Sequence, residues 1–191
     1  MTLDELLSQV RACAACDLPH GPRPVLSVHA DSRILIIGQA PGSQVHASGV
    51  PWDDDSGVRL RQWLGVSNQT FYDPRAVGIL PMGFCYPGKG KSGDLPPRRE
   101  CAPLWHDRLL AHLGRVELSL LVGQYAQKQV LGKRRQRNLT ETVRAWRDYG
   151  PALLPLPHPS WRVRRWMGQQ PWFEDEVVPA LQGRVMALLG A

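Results

Sequence analysis

Four cysteines fall as two pairs, Cys13 with Cys16 and Cys85 with Cys101. Cysteines as close as Cys13 and Cys16 can chelate one metal centre through a single turn of backbone, while the wider pair must be brought to it by folding. Ligation by all four would tie the N-terminus to the middle of the chain. Between the pairs lies Gly38-Gln39-Ala40-Pro41-Gly42, where glycine lets backbone N–H groups approach a ligand and proline stiffens the turn. His46, Pro51-Trp52 and the carboxylates of Asp53, Asp54 and Asp55 follow. Later, His158-Pro159-Ser160 supplies an imidazole whose N–H can donate in either protonation state. Trp161, Arg162, Arg164, Arg165 and Trp166 come next, and interleaved cations and rings suit nucleic acid.

These groups need a scaffold. The chain has 191 residues and 43% hydrophobic content, enough for one domain over residues 1–191 with a sizeable core. No stretch approaches the roughly 18 consecutive apolar residues of a membrane helix. The N-terminus, with Asp4 and Glu5 close to Met1, lacks a basic-then-apolar export signal. A cytoplasmic protein with no membrane partner is therefore expected. In a reducing compartment the cysteines are metal ligands or buried thiols sooner than disulfides. Basic residues number 23 against 17 acidic ones, a net charge of +6, and the excess is concentrated after residue 88. The cluster Lys133, Arg134, Arg135 and Arg137 reads as a solvated face.

Leu3, Leu6, Leu7 and Val10 recur at helical spacing and predict a helix over residues 3–14. Residues 33–37 read as a buried strand that runs straight into Gly38, a common way to place a site at the carboxyl end of a sheet. Further strands are expected at 76–80, 118–122 and 153–156, and helices at 57–64, 103–113, 125–131, 139–146 and 174–189. Alternation of strands and helices implies an α/β fold, a mainly parallel sheet covered by helices on both faces. Residues 85–97, rich in Pro, Gly and Lys, form a long loop of the kind that usually carries function.

The loop at residues 38–42, Pro51-Trp52, the four spaced cysteines and His158-Pro159-Ser160, in that setting, resemble the uracil-DNA glycosylase superfamily. The nearest resemblance is to its bacterial and archaeal iron-sulfur branch, often called family 4, from about residue 10 to residue 175. The resemblance implies a three-layer domain with a four-stranded parallel sheet, and a [4Fe-4S] cluster on Cys13, Cys16, Cys85 and Cys101. It implies hydrolysis of the N-glycosidic bond of a deaminated base in DNA; a monomer is expected.

Chemistry supplies reasons for these residue types. A base stacked in a duplex must be rotated into a pocket before its bond to the sugar can be attacked. Gly38, Ala40, Pro41 and Gly42 would grip it through backbone, with Ser160 nearby, and Trp52 would stack on it. Cleavage puts positive charge on the sugar and negative charge on the base; His158 would donate to the departing base's oxygen. Trp161 would wedge into the vacated stack, and Lys89, Lys91, Arg162, Arg164 and Arg165 would hold phosphates. Related sequences read His-Pro-Ser-Pro-Arg-Asn, with proline and asparagine where this chain has Trp161 and Val163.

The water-activating group departs from the pattern. The best-known members carry aspartate at the third position of the first motif, here Ala40, and the iron-sulfur branch commonly carries glutamate at the second, here Gln39. Gln39 can orient a water but cannot take its proton. Asp54, with His46 behind it, is the candidate base, set against the plainer role of Asp55 or Ser56 as a helix cap. Members strict for uracil tend to use an asparagine near the second strand, and residues 78–84 contain none; backbone groups of Pro81, Met82 and Gly83 would then read the base, admitting hypoxanthine or xanthine. Two other classes fit less well: a tight uracil-DNA-binding protein with little turnover, and a zinc-stabilised nucleotide-binding domain.

Overall fold

The computed structural model describes residues 1–190. Thr2 opens helix α1, Leu3–Arg11, with a reciprocal cap: its hydroxyl accepts from the Glu5 N–H, and the Glu5 carboxylate accepts from the Thr2 N–H. Helix α1 buries Leu6, Leu7 and Val10. It ends short of residue 14 because the Cys13 N–H turns back to the Val10 carbonyl at 3.0 Å, lifting Cys13 and Cys16 off the helix.

Strand β1, Ile34–Ile37, is followed by α2, Ser43–Ser48, α3, Asp55–Leu64, α4, Asn68–Tyr72, and β2, Val77–Ile79. A small hairpin of β3, Lys89–Gly90, and β4, Gly93–Asp94, interrupts the expected long loop. Then come α5, Cys101–Leu110, β5, Leu118–Val122, α6, Gln124–Leu131, α7, Leu139–Arg144, β6, Leu153–Leu156, α8, Val163–Gln169, and α9, Val178–Leu189. The helix expected over 174–189 is divided: Phe173–Val177 forms a π-type turn before α9. Pro179 brings no N–H to the ladder at that junction, so a continuous helix would lose a bond there.

The sheet is all parallel in the order β2-β1-β5-β6. Its strands are apolar runs buried on both faces, as such sheets require. Ile34 and Ile36 join Leu118, Leu120, Leu154 and Leu156 in a core against α3, α7, α8 and α9. Leu35, Ile37 and Leu121 point the other way, to α1, α5 and α6. Gln127, fully buried on α6, ties that helix to the sheet by donating from Nε2 to Leu156 O at 2.9 Å and Leu121 O at 3.3 Å. No helix of the described residues is long and apolar enough to cross a membrane.

Candidate functional site

The carboxyl ends of the four strands open into one cleft of about 530 Å³. The Gly38–Gly42 loop lines it after β1, Pro81 after β2, Gln124 and Tyr125 after β5, and His158, Ser160, Trp161 and Arg162 after β6. Trp52 and Asp54, ahead of α3, complete one wall, and Asp94 of β4 stands in another. The chain reverses its direction of sheet growth at β1, the place where open α/β sheets bind ligands. Residues 38–42, 52, 54, 158 and 160–162, scattered in sequence, are thus gathered by the sheet. His46, Lys89, Lys91, Arg164 and Arg165 stand outside this lining.

Trp52 has a φ of 57°, a left-handed conformation that costs a bulky residue about 1–3 kcal/mol. Neighbours hold it there. Its carbonyl accepts from Arg61 Nη1 at 3.3 Å and from the Tyr72 hydroxyl at 3.4 Å. Gly57 leaves room for that carbonyl, since a β-carbon at residue 57 would come within 1.8 Å of it. The indole rests against Gly38, and its ring centre lies 5.7 Å from that of His158.

His158 is half-buried on the loop after β6. Arg59 of α3 holds that loop by donating from Nη1 to Pro159 O at 2.7 Å and Ser160 O at 3.3 Å. Behind the imidazole, Gly123 at φ 84° would place a β-carbon 3.5 Å from His158 Cβ. Burial pushes the imidazole below its ordinary value of 6.5, against the pull of Asp54 and Asp94. It is therefore neutral at pH 7, with one N–H to donate.

Asp54, not Asp55 or Ser56, caps α3: its Oδ1 accepts from the Gly57 N–H at 2.8 Å. Asp94 is braced differently, with Tyr86 donating its hydroxyl to Oδ1 at 3.4 Å and Oδ2 lying 3.5 Å from where a β-carbon of Gly42 would stand. His20 stacks on Tyr86 at 5.3 Å, and His46 tilts against it at 5.9 Å. His46 therefore buttresses Tyr86 from beside the cleft. Arg162 Nη2 donates to Ser92 O at 2.7 Å, joining the hairpin to the loop that carries His158.

Backbone groups at residues 81–83 do not face the cleft as free donors. Met82 N–H donates to Gly38 O and Gly83 N–H to Gln39 O, each at 3.0 Å, while Pro81 O lies 2.9 Å from His106 Nε2. This segment braces the first motif loop, so the Met82 and Gly83 N–H groups are engaged there.

The same segment leads to the cysteines. Cys13, Cys16, Cys85 and Cys101 line one small cavity with Phe84, Arg98 and Trp105. Cys101 opens α5, and Trp105, four residues on, lies on the same helix face; its Nε1 is buried with no hydrogen-bond partner among the described residues. The Phe84 N–H donates to Cys101 Sγ at 3.3 Å. Burial first, and then the neighbouring thiols, push the Cys101 thiol up to about 12, with the Phe84 N–H pulling the other way. Burial also raises Cys16 and Cys85. Among the described residues no three His, Cys, Asp or Glu side chains are grouped to hold a single metal ion. An all-thiol donor set, mutually repelling as thiolates and flanked by backbone and indole N–H groups, suits an iron-sulfur cluster, which spreads its ligands more widely than one ion does.

Sequence reasoning passed over Arg59, Arg61 and Asp94. The arginines sit in an ordinary amphipathic helix and act through backbone carbonyls distant in sequence. Asp94 did lie in the loop whose length and composition marked it as functional.

Trp161 is 75% exposed at the cleft rim, its ring 5.2 Å from the Arg162 guanidinium. Arg164 and Arg165 are exposed on α8, and Lys89 and Lys91 on the hairpin. A family model described as the uracil DNA glycosylase superfamily matches residues 27–182. That span takes in the four sheet strands, the Gly38–Gly42 loop, Trp52, Asp94, His158, Cys85 and Cys101, and begins after Cys13 and Cys16. With the sheet, the carboxyl-edge cleft and most of the chain's length inside the match, this chain belongs to the uracil DNA glycosylase superfamily.

Proposed function

We propose that this superfamily member is a monofunctional DNA glycosylase of the iron-sulfur, family 4-like kind. It rotates uracil out of DNA and hydrolyses the bond between base and sugar, as in base-excision repair. The observation that carries this reading is the placement of Trp52 and His158, ring centres 5.7 Å apart, beside the backbone of Gly38 in one cleft.

In this mechanism the extruded base stacks on Trp52, while the Gly38–Gly42 backbone and Ser160 hold its edges and sugar. Neutral His158 donates its N–H to the base oxygen that gathers charge as the bond breaks. A neutral donor suits a developing anion without first needing protonation, and a fixed donor of this type contributes about 10²–10³ in rate. Trp161, apolar and exposed, enters the space left in the stack. Lys89, Lys91, Arg164 and Arg165, with the remaining N–H groups of Arg162, neutralise phosphates.

Cys13, Cys16, Cys85 and Cys101 would hold a [4Fe-4S] cluster that would cross-link the N-terminal segment, the segment after β2 and the start of α5. Its contribution would be mechanical. Through Met82 and Gly83 the linked segment braces the carbonyls of Gly38 and Gln39, so a cross-link there would steady the base-binding loop. The Gln39 amide can both donate and accept, and residues 78–84 contain no asparagine; hypoxanthine and xanthine are accordingly proposed as further substrates.

Oligonucleotides carrying one uracil, hypoxanthine or xanthine, single- and double-stranded, test the reading. Release of several equivalents of free base per protein supports the glycosylase. A stable stoichiometric complex without turnover supports the uracil-DNA-binding alternative, and neither release nor binding overturns both.

A further inference from the structure

We infer that Asp94 is the catalytic carboxylate that takes the proton of the attacking water in this cleft, an inference that rests on the glycosylase reading above. Hydrolysis needs a base beside the sugar, and the loop at residues 38–42 carries none. Among the described residues lining the cleft, the carboxylates are Asp54 and Asp94.

Their settings differ. Asp54 holds the first turn of α3, Oδ1 to the Gly57 N–H, and its field on His158 is stronger than that of Asp94. A carboxylate with the stronger pull on the donor for the leaving base opposes the negative charge about to grow there, which suits structure and not water activation. Asp94 enters from the hairpin. Tyr86 fixes Oδ1, and Oδ2 is directed to Gly42 at the far end of the motif loop. Rings of His20 and His46 steady Tyr86, and the Arg162 bond to Ser92 O ties the hairpin to the His158 loop. Asp94 is thus a mounted group even though it is exposed.

The bond from sugar C1′ to the base nitrogen breaks, and its electron pair leaves on the base, whose oxygen is held by His158 N–H. Water oxygen bonds to C1′, and one of its protons passes to Asp94. The base anion takes a proton from solvent, Asp94 returns its proton to solvent, and the products are free base and an abasic sugar. The positive charge on the sugar is stabilised by the same carboxylate before water adds.

Charged and titratable groups facing Asp94 are Tyr86, Lys89 opposite it in the hairpin register, Arg162 beside Gly93, and His158 and Asp54 across the cleft. His20 and His46 reach it through Tyr86. The test is single-turnover base release from uracil-DNA across pH by the intact wild type, Asp94→Asn, Asp94→Glu and Asp54→Asn. Circular dichroism and binding of a non-hydrolysable uracil-DNA analogue are measured alongside. Asp94→Asn is expected to lower release about 10²- to 10⁴-fold, to lose the acid limb of the pH profile and to bind the analogue as wild type does. Asp94→Glu recovers part of the rate, and Asp54→Asn loses less than Asp94→Asn. Release by Asp94→Asn at the wild-type rate, or a larger loss in Asp54→Asn, overturns the inference while leaving the glycosylase standing. A wild type that releases no base overturns both.

Discussion

The indole of Trp52 rests so closely on Gly38 that a β-carbon at residue 38 would stand 3.0 Å from Trp52 Cζ2. Strand β1 ends here, and the ring proposed to stack on the base is positioned by the absence of a side chain. Gly38→Ala should push the indole outward by a few tenths of an ångström and lower base release about tenfold, since misplacement of about 1 Å can cost 10². The melting temperature should change by no more than a few degrees. Unchanged release would show that the Gly38–Trp52 contact does not set the pocket.

Gly57 answers to the same residue from the other side. Its β-carbon would meet the Trp52 carbonyl backbone at 1.8 Å, and no rotamer can relieve a backbone clash. Gly57→Ala should destabilise the protein by about 3 kcal/mol, the upper range for overpacking. That lowers the melting temperature by roughly 6–12 °C at this size. A shift under 2 °C, against the roughly 2–4 °C expected per kcal/mol, would show that the α3 entry turn is more yielding than its contacts imply.

Two imidazoles, His106 buried and His158 half-buried, give stability a pH dependence. Burial lowers His158 and also His106, which stacks on Phe84 at 5.7 Å and bonds Pro81 O. Both folded values lie below the unfolded value of about 6.5, so as pH falls past 6.5 the unfolded chain binds protons that the folded chain refuses. Stability therefore declines from there downward, and these groups contribute no slope well above it. Urea midpoints at several pH values between 8 and 5 should show this fall, and His106→Asn should flatten it. A midpoint that rises on acidification would contradict the sign.

The cysteine cavity makes a prediction about metal. Protein purified without oxygen should be brown and contain roughly four irons per chain, and Cys101→Ser should lose iron, colour and thermal stability together. A colourless wild type containing zinc would contradict the cluster.

The sheet was legible because buried parallel strands are uninterrupted apolar runs: 118–122 and 153–156 match β5 and β6 to the residue. Helix α2 was not, having Val45 as its buried residue and glycine at both ends; six residues cannot display a period. The hairpin was hidden for another reason. Its strands are two residues each, and one brace that holds it, Arg162 to Ser92 O, spans 70 positions. The sequence marked His158, Trp52 and the motif loop through residue type, but Asp94 acquires its place through tertiary contacts, that bond and the Tyr86 hydroxyl among them. Asp54 was visible as a carboxylate, and its duty as the cap of α3 was assigned by sequence to its neighbours.

The most direct test of the central claim is release of free uracil from a uracil-containing oligonucleotide under multiple turnover, with wild type and His158→Ala side by side. Wild-type protein is expected to release many equivalents of uracil, and the variant about 10²- to 10³-fold less, with its circular dichroism spectrum unchanged. No release by the wild type, or equal release by a folded His158→Ala variant, would contradict that claim.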